Sequence, residues 1–124
     1  MQDVDHRGIV LTEQVDIDWL RNLNPQRFMK FIKFTIDPNS EKVCVGMEAH
    51  RNGGSVLGNG TSDYVNTLYG GNLFYDTNIV EWESGLNVRH NIKIGLEANQ
   101  NPRFLTDKDT IERLERILRI WVNY

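Results

Sequence analysis

The residues with the most chemical potential are Glu48 and His50, in the stretch Gly46-Met47-Glu48-Ala49-His50. Two positions apart on an extended strand, they point to the same side. A carboxylate beside an imidazole is an acid–base pair, or two of the three ligands that a catalytic metal needs. His90 or Glu83 would have to complete such a centre. Nothing in the spacing brings them there, so no metal is assigned. The plainer reading of Glu48 and His50 is a solvated polar strand face. A second set, Glu81, Glu83, Asn87 and Arg89, falls on one side of an alternating stretch. In a strand rising ~3.3 Å per residue, Glu83 and Arg89 are too far apart to pair. They either face a polar ligand together or pair with neighbouring strands.

Other chemistries are weaker. Cys44 is the single cysteine, so an intramolecular disulfide is excluded and zinc-type CxxC patterns are absent. It lacks the clustered cations that make a reactive thiolate and reads as a small strand-packing residue. Gly70-Gly71-Asn72 is too short for a phosphate loop and reads as a bend in a strand. The Walker A, GxGxxG, GxSxG and HExxH signatures are absent, and no cofactor is implied. Arg113, Arg116 and Arg119, with Arg103 and Lys108 nearby, are nearly cancelled by Asp107, Asp109, Glu112 and Glu115. That is a solvated helix face rather than a nucleic-acid stripe.

The elements that must position these residues follow from length and patterning. The 124 residues suit one domain, 1–124, large enough for a core without disulfides or metal. A net charge of -3 gives no pull toward nucleic acid or an anionic membrane. No apolar run nears the ~20 residues of a membrane span, and the charged N-terminus does not look like a signal peptide. The expected location is the cytoplasm. Residues 1–15 read as a tail or an edge strand.

Asp16 or Asp18 is placed to cap a short helix carrying Trp19, Leu20 and Leu23. In residues 28–36, Phe28, Ile32, Phe34 and Ile36 fit alternation while Phe28, Phe31, Ile32 and Thr35 fit a helical face; the second half favours a strand. Asp37-Pro38-Asn39-Ser40 is a turn, and Val43, Val45, Met47 and Ala49 alternate in a second strand, making a hairpin. Residues 51–67, rich in glycine and asparagine, predict a long loop. Leu73, Phe74 and Tyr75 are strand-prone. Val80, Trp82, Ser84, Leu86 and Val88 then share one face of the clearest alternation in the chain. A three-residue hairpin loop at Arg89-His90-Asn91, or a bent strand, would preserve that parity into Ile92, Ile94 and Leu96. Thr106 is the expected cap of a helix over 107–122 with Ile111, Leu114, Ile117, Leu118 and Trp121 inside. Glu112–Arg116 and Glu115–Arg119 are its expected surface pairs. The whole is α+β: an antiparallel sheet of four or five strands against one or two helices, including the C-terminal amphipathic one.

Three blocks carry a resemblance. Gly46, Glu48 and His50 fit G-x-E-x-H. Gly70, Gly71 and Asn72 fit W-G-x-N, with Tyr69 in the tryptophan's place. Ser84, Leu86, Asn87, Val88 and Arg89 fit S-x-I-N-I-R. Over about residues 28–122 the chain resembles a small prokaryotic family that is itself a domain of unknown function. His90 stands where that pattern has a proline, and the 51–67 segment departs in composition. The resemblance implies no activity. It singles out Glu48, His50, Asn72, Asn87 and Arg89 as the candidate ligand site.

Three functions are compatible with these residues. The leading one is a non-catalytic binding or protein-interaction module using a polar sheet face and the glycine-rich segment, its partner an unidentified ligand or protein. The second is a small hydrolase or isomerase using Glu48 and His50 as acid and base. The third is a structural homodimer formed by strand pairing at a sheet edge.

Overall fold

The computed structural model describes residues 8–23, 30–58, 67–95 and 101–124. Its fold is α+β, as the patterning predicts. A five-stranded antiparallel sheet has the order β1-β4-β3-β5-β6, built from β1 (Ile9–Val10), β3 (Phe31–Asp37), β4 (Lys42–Val45), β5 (Tyr69–Phe74) and β6 (Val80–Glu81). A second, two-stranded parallel ladder joins β2 (Val15–Asp16) to β7 (Val122–Asn123). It ties the start of the described chain to its end. Of the expected tail or edge strand, Ile9–Val10 is an edge strand, and residues 1–7 lie outside the described residues.

The predicted hairpin is present, with Asp37 opposite Lys42 and Phe34 opposite Val45. Its turn is set by the Asp37 carboxylate, which accepts from the Asn39 backbone N–H at 3.0 Å and the Ser40 hydroxyl at 2.6 Å. β3 sends successive side chains to opposite faces of the sheet. Ile32, Phe34 and Ile36 face a core completed by Val43, Val45, Leu73 and, from α4 (Lys108–Trp121), Leu114, Ile117 and Leu118. Burying each such side chain is worth about 1.5–3 kcal/mol, which is why α4 seats its apolar stripe there. On its wet side Glu115 pairs with Arg119 as expected, whereas Glu112 is reached by Lys108. The helix cap is Asp107 rather than Thr106. The short helix α1 (Ile17–Leu23) begins where the Asp16 carboxylate accepts the Trp19 N–H at 2.9 Å.

Three expectations are corrected. The second strand ends at Val45, not Ala49. Gly46 turns the chain at φ 83°, a left-handed conformation that suits glycine. His50 then opens α2 (His50–Gly58), so Glu48 and His50 do not share a strand. The first half of the expected long loop is therefore helical, and residues 59–66 lie outside the described residues. Two contacts account for a glycine-rich helix here. The Asn52 side chain accepts the Ala49 N–H at 3.1 Å, closing the entry turn. Gly53 lies so close to the sheet that a Cβ would meet Met47 Cε and Thr35 Oγ1 at 2.8 Å. Gly53 lets α2 cover the sheet face opposite α4, and Thr35 Oγ1 donates to the His50 carbonyl at 3.0 Å.

The third correction concerns the alternation after Val80. Only Val80–Glu81 is strand. The chain makes an isolated bridge from Glu83 to Phe104, a 3-10 turn at Gly85–Asn87 and a helix, α3 (Val88–Lys93), where a hairpin loop was expected. Ser84 starts the turn by accepting the Leu86 N–H on its hydroxyl at 3.1 Å. Gly70 and Gly71, expected as a bend, lie inside β5. They are small because their neighbours are close: a Cβ on Gly70 would lie 2.5 Å from Ser84 Oγ, and one on Gly71 2.6 Å from Phe34 Cζ.

Candidate functional site

A cleft of about 430 Å³ opens where β3, the turn before α2, the Glu83–Leu86 segment and Arg103 meet. Four charged side chains line it: Lys33 from β3, Glu48 from the turn, Glu83 beyond β6, and Arg103 from the connector before α4. His50 forms part of the wall, with Ser84 and Leu86 beside it. Alternation places Lys33 on the sheet face away from the main core. There its ammonium lies 4.8 Å from the Phe31 ring centroid. Glu83 and Arg103 are held together by two layers of contact. Their side chains form an ion pair, and the Ser84 N–H donates to the Arg103 carbonyl at 3.0 Å.

His50 is 7% exposed. Its Nε2 lies 2.8 Å from the Gly71 carbonyl and therefore carries the proton. Nδ1 is left as the acceptor, and it has no hydrogen-bond partner among the described residues. Burial pushes the imidazole pKa down to about 4, against the raising effect of the Gly71 hydrogen bond. Lys33 and Arg103 lower it further while Glu83 raises it. At neutral pH the ring is an uncharged donor–acceptor, not a general base poised near 7.

The five sequence candidates separate. Glu48 and His50 meet at the cleft. Asn72 is buried and donates to the Glu81 carboxylate at 3.0 Å, while its own Oδ1 has no partner among the described residues. Asn87 is wholly buried and braces the backbone: it accepts the Gly70 N–H and donates to the carbonyls of Gly70, Trp82 and Arg103 at 3.0–3.2 Å. Arg89 is exposed on α3 and does not line the cleft. The proposed face of Glu81, Glu83, Asn87 and Arg89 is therefore not a face.

Sequence reasoning missed Lys33 and Arg103 as partners of Glu48 and His50. Lys33 was legible as the one charge between the apolar residues of β3. Arg103, in a polar connector, offered no local signal.

His90 belongs elsewhere. Its Nδ1 lies 3.0 Å from the Tyr69 hydroxyl and its Nε2 2.9 Å from Asp107 Oδ1. Thr110 also donates to Asp107. Desolvation opposes the charge on Asp107, but the bonds from Thr110 and His90 outweigh it and hold the carboxyl below its ordinary range. Burial raises the Tyr69 phenol, with the Asp107 charge adding to it. This chain links β5, α3 and the start of α4.

Among the described residues, no group of three or more His, Cys, Asp or Glu is placed to hold a metal ion, and no helix is long and apolar enough to cross a membrane. Compared with protein-family models, with curated proteins and with solved structures, the chain matches none of them.

Proposed function

We propose that the chain is a non-catalytic binding module that takes a small polar ligand in the cleft between Lys33, Glu48, His50 and the Glu83–Arg103 pair. The observation that carries this reading is the convergence of four charged side chains and a neutral, buried imidazole on one cleft of about 430 Å³. That volume is in the range of small-molecule sites, where a few placed polar groups fix orientation.

The character of His50 favours binding over acid–base catalysis. A base that gains its proton only near pH 4 is a weak proton acceptor at neutral pH but a good hydrogen-bond partner. Short edge strands, two residues each at β1 and β6, speak against a homodimer built on strand pairing. Of the blocks that resemble the uncharacterised prokaryotic family, the first supplies Glu48 and His50 to the cleft, and the second and third brace it from behind through Gly70 and Asn87.

The reading is tested by thermal unfolding in the presence of mixtures of small polar metabolites. A ligand at about one hundred times its Kd adds about 2.7 kcal/mol to the folded state. For a chain this size that raises Tm by several degrees. At least one mixture should do so for the wild type and not for Glu48→Lys, whose exposed position leaves the fold intact. If no mixture moves the midpoint, or Glu48→Lys responds equally, the reading is wrong.

A further inference from the structure

Resting on that reading, we infer that the cleft selects a zwitterion: a small molecule carrying one ammonium and one carboxylate, of the amino-acid or dipeptide class.

The charges of the wall carry the inference. Lys33 and Arg103 contribute two cations, Glu48 and Glu83 two carboxylates, so the wall is balanced. The balance is not evenly available. Glu83 and Arg103 are engaged with each other, and their backbones are fixed by the Glu83–Phe104 bridge and the Ser84 N–H bond to the Arg103 carbonyl. Lys33 and Glu48 form no ion pair with any described residue. Among the described residues, the cleft therefore presents one cation and one carboxylate outside any ion pair, on different segments of its wall; the cation's one aromatic contact, with Phe31, leaves its charge uncompensated.

A simple anion meets Lys33 but also the repulsion of two carboxylates. A simple cation meets Glu48 but also two positive charges. Only a ligand bearing both signs satisfies both groups without adding net charge to the cleft. The neutral His50 suits this role. A protonated ring would tip the balance toward anions, whereas the uncharged ring offers hydrogen bonding without a third positive charge. The cleft of about 430 Å³ has room for a dipeptide backbone.

The test uses the intact, isotope-labelled chain and three probes at equal concentration: glycyl-L-alanine, its N-acetylated form, which keeps only the carboxylate, and its C-terminal amide, which keeps only the ammonium. Amide chemical shifts report binding. The free dipeptide should bind about ten-fold more tightly than either capped form, the effect of one charge-assisted hydrogen bond. Lys33→Met should erase its advantage over the amide, and Glu48→Gln its advantage over the acetylated form. Capped probes that shift the cleft amides as strongly as the dipeptide overturn the zwitterion inference while leaving a small-ligand cleft in place. If no probe shifts them, the inference is also overturned, and the metabolite mixtures then decide the binding reading separately.

Discussion

Replacing Asn87 with alanine is expected to lower stability by about 2–4 kcal/mol, the cost of leaving a couple of buried polar groups unsatisfied. The side chain is fully buried and makes four hydrogen bonds. All four go to backbone, on β5, on Trp82 and on Arg103. Alanine would orphan one N–H and deprive three carbonyls of a donor, and each unsatisfied buried group costs about 1–3 kcal/mol. Not all would be felt, because the Arg103 carbonyl also accepts from Ser84 and the Trp82 carbonyl from Leu105. Asn87→Asp is expected to be no better: it keeps the acceptor for Gly70 but points a carboxylate at three carbonyl oxygens. Urea unfolding curves measure both. A loss below about 1 kcal/mol in either variant would mean that these bonds are replaceable and that Asn87 does not hold the cleft wall.

Acid sensitivity traceable to His50 is the second large effect. Its pKa is 6.5 when unfolded and about 4 when folded. Between those values the unfolded chain takes up a proton that the native ring refuses. The contribution is therefore complete above pH 6.5 and is lost as pH falls toward 4. By linkage, the loss is about 3 kcal/mol over that window. Other groups titrate there too, so the quantity to measure is the difference from His50→Gln. Its amide can still donate to the Gly71 carbonyl but does not titrate. Stability measured at steps from pH 7 to pH 4 should fall about 3 kcal/mol further in the wild type than in the variant. Parallel curves would show that His50 is not held neutral, and the acid–base alternative would regain its ground.

Much of the fold was legible from residue type and periodicity together. The β3–β4 hairpin, α1 and α4 follow from alternation, a carboxylate cap and a 3.6-residue stripe. The errors have physical causes. Residues 80–88 alternate in hydrophobicity, yet Ser84 and Asn87 spend their side chains on nearby backbone groups and curl the chain into a 3-10 turn. Local side-chain to backbone bonding competes with a strand ladder, and binary pattern does not register it. Gly53 of α2 looked like loop because its value lies in close approach to the sheet, which is a tertiary fact. Glu48 and His50 line one cleft, but not in the geometry the sequence suggested. They converge through a turn and a helix start rather than one strand. Asn72 and Asn87 are buried and bonded to protein groups, a placement the sequence could not show because a buried amide and a binding amide look alike in it. Arg103 was invisible as a partner because its contact with Glu83 spans twenty positions.

Chemical-shift mapping tests most directly whether the cleft is a binding site. The intact, isotope-labelled chain would be titrated at neutral pH with a mixture of small polar metabolites. The expected result is a set of amide shifts concentrated at Lys33, Glu48, His50, Ser84 to Leu86 and Arg103, with the residues of α4 unmoved. Shifts gathered instead around Arg89 on α3, or none anywhere at millimolar ligand, would contradict it.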